Sequence, residues 1–258
     1  MSRIKKTFEK KNNRILNVYF TAGYPHLEST TEIIRSLQEN GADLIEIGMP
    51  YSDPLADGET IQQSGAVALS NGMTIKKLFE QLKGYREFFH LPIILMGYMN
   101  PVLQYGFEKF CADAASVGVS GLILPDLPPH EFREVYGDII KKYGLDFIFL
   151  VTPETSEERI RMLDKLSSGF IYAVSSSSTT GGKTDIDNVA KYLQRLKSYH
   201  LTNPILVGFG IKDKASFDAV CNHADGGIIG SAYINALKNA TDISATTKAF
   251  LNEILNDK

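Results

Sequence analysis

The chain has 258 residues, 43% of them hydrophobic and 22% charged, enough to bury a full core, and a formal net charge of -3. That charge, with lysines scattered rather than massed, leaves no basic footprint for a nucleic acid and favours a small-molecule ligand. No apolar run approaches the roughly 20 residues that span a bilayer, and Met1-Ser2-Arg3-Ile4-Lys5-Lys6 lacks the apolar stretch of a secretory signal, so a cytoplasmic protein without membrane attachment is expected.

In chain order, the first segment reads as a helix whose Ile4 and Phe8 are spaced to cover the bottom of a domain. Short apolar, β-branched runs follow at 15–21, 43–48, 92–97, 121–125, 146–152, 170–175, 204–208 and 226–230, with helix-length segments between them. This alternation is the pattern of parallel strands joined by crossover helices. Eight such units predict one closed (β/α)8 TIM barrel spanning 1–258, because closure leaves no edge strand to protect; an open doubly wound sheet is the alternative. The helix over 28–39 places Ile33, Ile34 and Leu37 on one stripe and stops at Asn40-Gly41. Similar breaks stand at Tyr143-Gly144 and Ser168-Gly169. The stretch after the second strand, 53–89, must hold a loop and two extra helices, which marks it as a functional insertion. Cys111 and Cys221 lie far apart in helical patterns without a CxxC, so they read as buried core thiols. The five histidines are dispersed and fall on no predicted strand, so no metal site is expected.

On the second strand, alternation sets Ile45 and Ile47 on one face and Leu44, Glu46 and Gly48 on the other. If the isoleucines face the helices, Glu46 points into the barrel near the strand's C-terminal end, where barrel enzymes place catalytic groups. A carboxyl among apolar neighbours has its pKa raised, which suits proton transfer near neutral pH. The competing role is a structural Glu paired with a base, yet no strand presents an obvious inward basic partner. The loop that follows carries Asp53 and Asp57, and either could cap the helix starting near Glu59.

Loops after the seventh and eighth strands, with a helix N-terminus, form the usual barrel phosphate site. Gly210, Gly230 and Ser231 fall there, and Gly181 on the sixth loop adds a further candidate donor. A Schiff-base mechanism would need a buried strand-end lysine, whereas Lys183 and Lys212, the nearest to strand ends, are in helices or loops.

Ile45-Glu46-Ile47-Gly48 and Pro50-Tyr51-Ser52-Asp53-Pro54-Leu55-Ala56-Asp57-Gly58 closely resemble the signature of the tryptophan synthase alpha subunit family. Matching stretches run along nearly the whole chain, among them Phe20-Thr21-Ala22-Gly23-Tyr24-Pro25, Leu95-Met96-Gly97-Tyr98-Met99-Asn100-Pro101, Val207-Gly208-Phe209-Gly210-Ile211 and Ile229-Gly230-Ser231-Ala232. The resemblance implies retro-aldol cleavage of indole-3-glycerol phosphate to indole and glyceraldehyde 3-phosphate, with no cofactor in this chain. It implies Glu46 as the acid-base group and Asp57 as acceptor of the indole N–H. Tyr172 would stand beside the catalytic group, and Tyr19, Ile61, Leu95 and Phe209 would line the indole pocket. Thr180 would close a lid over the site by bonding Asp57. Asp53 and Pro54 would touch a beta subunit that carries pyridoxal phosphate, in an α2β2 complex. Ser176 and Ser178 stand where many members have an arginine and a glycine, a departure that bears on how tightly the lid closes. A stand-alone indole-releasing lyase, a related phosphate-binding isomerase, and a non-catalytic phosphate-binding barrel that regulates a partner are the competing functions.

Overall fold

The structure is a computed structural model that describes residues 2–54, 57–174, 183–208 and 210–256, the side chains of 183–188 excepted. Its strands are β1 (Ile15–Thr21), β2 (Leu44–Gly48), β3 (Ile93–Met96), β4 (Gly121–Ile123), β5 (Asp146–Phe147), β6 (Leu150–Val151), β7 (Ile171–Val174), β8 (Ile205–Gly208) and β9 (Gly226–Ile229). All pairs are parallel, in the order β5-β4-β3-β2-β1-β9-β8-β7-β6. Read as a ring, that order is the sequential one of a barrel, not the reversal at a switch point that a doubly wound sheet shows.

One expected strand differs in form. The run 146–152 is divided into β5 and β6, the two ends of the curled sheet. β5 pairs with β4 and β6 with β7, while the Ile148 N–H donates to Leu122 O at 3.0 Å and the Tyr172 N–H to Phe149 O at 3.1 Å. The fifth strand thus gives its first half to one neighbour and its second half to the other, and regular pairing breaks at the changeover. The ring is closed covalently through Ile148 and Phe149.

The N-terminal helix Arg3–Lys11 is capped by the Ser2 side chain, which accepts from the Lys5 N–H, and it buries Ile4 and Phe8. They belong to a cluster with Ile15, Leu44, Ile94, Ile123, Phe170 and Leu206, inward residues of the strands, so the helix floors the barrel. A second, larger cluster lies between strands and helices and takes in Ile45, Ile47, Leu95, Val207 and the buried stripe Ile33, Ile34 and Leu37 of helix Ser29–Glu39. Each such side chain contributes roughly 1.5–3 kcal/mol by leaving water. Gly41 follows that helix with a φ of +99°, a backbone region L side chains avoid. The insertion after β2 holds helices Glu59–Ser70 and Ile75–Gln81 and, beyond the two expected, a single turn at Tyr85–Phe88 entered through Gly84. Cys111 is fully buried as expected, but Cys221 is only partly covered, and burial pushes the two thiols up to about 12 and about 11. Among the described residues no helix is long and apolar enough to cross a membrane.

Candidate active site

Alternation along β2 sends Leu44 to the barrel floor and Ile45 and Ile47 to the helical layer, which leaves Glu46 facing inward between Tyr19 on β1 and Ile94 on β3. Glu46 is wholly buried. Its Oε2 accepts a hydrogen bond from Asn17 Nδ2 at 3.0 Å, and its Oε1 has no partner. Burial raises the carboxyl pKa to about 8; the Asn17 bond opposes this and the charge of Asp57 adds to it. Desolvation wins because one neutral amide donor replaces only part of the hydration a carboxylate loses. The result is a group able to hold or release a proton near neutrality.

Glu46 opens into a cavity of about 510 Å³ at the C-terminal mouth of the barrel. Asp57, Ile61, Tyr19 and Tyr172 line it, and so do Gly210, Gly230 and Ser231. The sequence-predicted acid-base residues and three of the phosphate candidates therefore meet in one space. Asp57 does not cap the following helix, whose N-cap is Gly58 without a side-chain bond. Its carboxyl is instead bonded by Tyr98, with burial raising its pKa against that bond, while its backbone carbonyl accepts from Gln62 Nε2 at 2.7 Å. Tyr98 in turn stacks on Tyr51 at 5.5 Å, and Tyr51 accepts from Asn100 Nδ2 at 2.8 Å. The loop acid is thus braced by the loop after β3.

Two glycines make room for the aromatic walls. A Cβ on Gly48 would fall 2.0 Å from the Tyr19 hydroxyl oxygen, and one on Gly208 would fall 2.4 Å from Cε1 of Tyr172. Both phenols have pKa values pushed far above their ordinary range, chiefly by burial and then by the neighbouring carboxyls, so they remain neutral. Gly210 has a φ of +44° and open space around it, so backbone conformation, not crowding, calls for glycine there. Ser231 opens helix Ser231–Leu237, and its N–H has no partner within that helix.

Not every predicted residue is in the lining. Leu95 lies on the outward phase of β3 and packs against the helices; its neighbour Met96 faces the cavity. Asp53 is exposed and accepts from Ser52 Oγ at 2.6 Å, and Pro54 is half-buried beside it; neither lines the cavity or caps a helix. Thr180, Gly181 and Phe209, with Ser176 and Ser178, lie outside the described residues. Sequence reasoning did not find Asn17 or Tyr98, the partners of the two acids, nor Asn235, and it weighed Lys212, which also lines the cavity, only as a strand-end lysine. Asn17 left a signal: it is an amide in the middle of the inward phase Ile15, Asn17, Tyr19 of a largely apolar strand. Among the described residues no three His, Cys, Asp or Glu side chains are grouped to hold a metal ion.

Comparison with known proteins agrees with this geometry. The family model for the tryptophan synthase alpha chain matches residues 5–256. The tryptophan synthase alpha chain of Flavobacterium johnsoniae is 49% identical over 98% of this chain and 100% of its own, and that of Bacteroides fragilis is 46% identical over 100% and 99%. Among solved structures, tryptophan synthase subunit alpha from Legionella pneumophila superposes with a TM-score of 0.90 at 34% identity, covering 98% of this chain and 97% of that one. An aminoacrylate-bound tryptophan synthase from M. tuberculosis gives 0.86 at 32% identity, covering 98% of each. A full-length match in sequence, and in a barrel whose mouth holds both acids, leaves one conclusion: the chain belongs to the tryptophan synthase alpha chain family.

Proposed function

We propose that this chain, a lyase by family, cleaves indole-3-glycerol phosphate reversibly into indole and glyceraldehyde 3-phosphate by acid-base chemistry from its own side chains. The observation that carries the proposal is Glu46, wholly buried, with one oxygen unpartnered in a cavity shared with Asp57 and the Gly230-Ser231 turn. Breaking the carbon-carbon bond requires the side-chain hydroxyl to lose a proton and indole C3 to gain one. Glu46 is suited to both transfers because burial brings its proton affinity near neutral pH. Asp57, held by Tyr98, accepts the indole N–H as positive charge grows on that ring. Two acids with separate supports can keep separate duties. Gly210, Gly230 and Ser231 receive the phosphate through backbone N–H groups and a hydroxyl, with Gly181 added from the sixth loop. Tyr172 and Ile61 give the indole its apolar walls, joined by Phe209, and Thr180 closes over Asp57.

The family name implies a beta-subunit partner. We assign the contact to the loop carrying Asp53 and Pro54, in an α2β2 assembly whose pyridoxal phosphate belongs to the beta subunit. A barrel that only binds and regulates has no use for a buried, half-satisfied carboxyl, which disfavours the non-catalytic alternative. Incubation with indole and glyceraldehyde 3-phosphate should yield indole-3-glycerol phosphate; absence of product would overturn the proposal. Co-purification with a pyridoxal-dependent beta chain tests the assembly.

A further inference from the structure

The amide of Asn17 is wholly buried and stands diagonally below Glu46 on the adjacent strand, with β1 and β2 pairing Asn17 to Leu44 and Tyr19 to Glu46. Its Nδ2 donates to Glu46 Oε2 at 3.0 Å, while its Oδ1 finds no partner. An unpartnered buried carbonyl is costly, and a Leu or Val at this place in the floor of an apolar barrel would avoid that cost. The surrounding inward residues, Leu44, Ile94 and Ile228, are apolar. The amide therefore needs a reason beyond packing, and the single bond it makes supplies one.

We propose that Asn17 is a positioning residue that confines the transferable proton of Glu46 to Oε1. An amide N–H can only donate, and the carbonyl oxygen of a protonated carboxyl accepts it better than the hydroxyl oxygen does, so Oε2 stays the acceptor and the proton is favoured on Oε1. When Glu46 takes a proton, the new O–H bond forms at Oε1, the oxygen without a protein partner. When Glu46 gives the proton up, the same O–H bond breaks and the electron pair stays on Oε1. The Asn17 N–H bond persists throughout, stronger while Glu46 is ionised, and so it favours the carboxylate against desolvation. The other titratable groups that bear on Glu46 are Asp57 from the loop after β2 and the phenols of Tyr19 on β1 and Tyr172 on β7. All three disfavour a negative charge nearby or are neutral, which leaves Asn17 as the donor that counters them.

The inference rests on the lyase reading for its effect on turnover but not for its effect on Glu46 itself, and two readouts separate them. Asn17→Leu keeps the branched shape and removes the donor; Asn17→Ala serves if the leucine variant does not fold. Carbon-13 NMR titration of the Glu46 carboxyl, assigned by its loss in Glu46→Gln, should show a rise of about one pH unit in either variant relative to the parent. The acid limb of the kcat profile for indole formation should move up by the same amount, a fall of roughly tenfold at pH 7, with KM little changed. An unshifted or lowered Glu46 titration would overturn the role of Asn17, since a lowered one means that the amide accepts from a protonated Oε2. A parent without turnover would overturn the lyase reading alone, leaving the titration to decide the role of Asn17.

Discussion

Glu46 sets a conflict between chemistry and stability that can be measured. Its carboxyl has an ordinary value of 4.5 and is raised to about 8 in the folded barrel. Between those values the folded chain holds a proton that the unfolded chain has released, so stability is greatest below about pH 4.5 and falls as pH rises through 8. Glu46→Gln carries no such group. It should melt above the parent at pH 7, by an amount on the order of 3 kcal/mol, with the margin closing below pH 4. Thermal melts at the two pH values check this, and a margin equal at both would contradict it. The same substitution should lower turnover by about 10²–10⁴-fold, with binding of glycerol 3-phosphate retained by calorimetry. At this scale strand phase made Glu46 legible in the sequence. It did not make Asp57 legible, because a loop acid before a helix looks like a cap until Tyr98 is seen holding it. Asn17 and Tyr98 escaped for a related reason: each matters through a contact across strands or loops, and single-chain periodicity carries no cross-strand register.

The elements themselves were largely visible as short apolar, β-branched runs alternating with helix-length segments. Where the expectation failed, pairing rather than propensity decided. The run 146–152 is apolar between Asp146 and Thr152, yet its halves serve different neighbours and only two residues of each remain in regular pairing. Leu95 and Met96 are both apolar, so composition could not say which faces the cavity; the register of Glu46 with Ile94 fixes the phase. Glycines divide at this scale into those that shape the site and those that do not. Gly208→Ala drives a methyl into Tyr172, and the ring that must move is a cavity wall. We expect about 1–3 kcal/mol of destabilisation together with a raised KM. Gly65→Ala, on helix Glu59–Ser70 with nothing within 4 Å of the new Cβ, should stabilise by up to about 1 kcal/mol and leave KM unchanged. Denaturant melts and steady-state kinetics on the pair test the distinction, which fails if both variants behave alike.

For the molecule as a whole, the barrel is a ring of strands with a floor and a mouth, and the two ends divide labour. The floor is apolar, made by Ile4 and Phe8 of the first helix against the lower layer of inward side chains. The mouth collects Glu46, Asp57, Tyr172 and Ser231. Ile4→Ala should cost about 2–5 kcal/mol by leaving a cavity in the floor, while kcat at temperatures well below the melt stays within a factor of two or so. A loss of turnover matching the loss of stability would mean that floor and mouth are not independent. Eight-fold alternation announced this architecture from the sequence alone, but the named substrate came from resemblance, since a phosphate turn and two acids are shared by many barrel chemistries. The most direct measurement is therefore the condensation reaction, with purified chain, indole and glyceraldehyde 3-phosphate, followed by loss of indole and appearance of indole-3-glycerol phosphate. Product should form with the parent chain and at least about a hundredfold more slowly with Glu46→Gln; no product from the parent, or equal rates from both, would contradict the lyase reading.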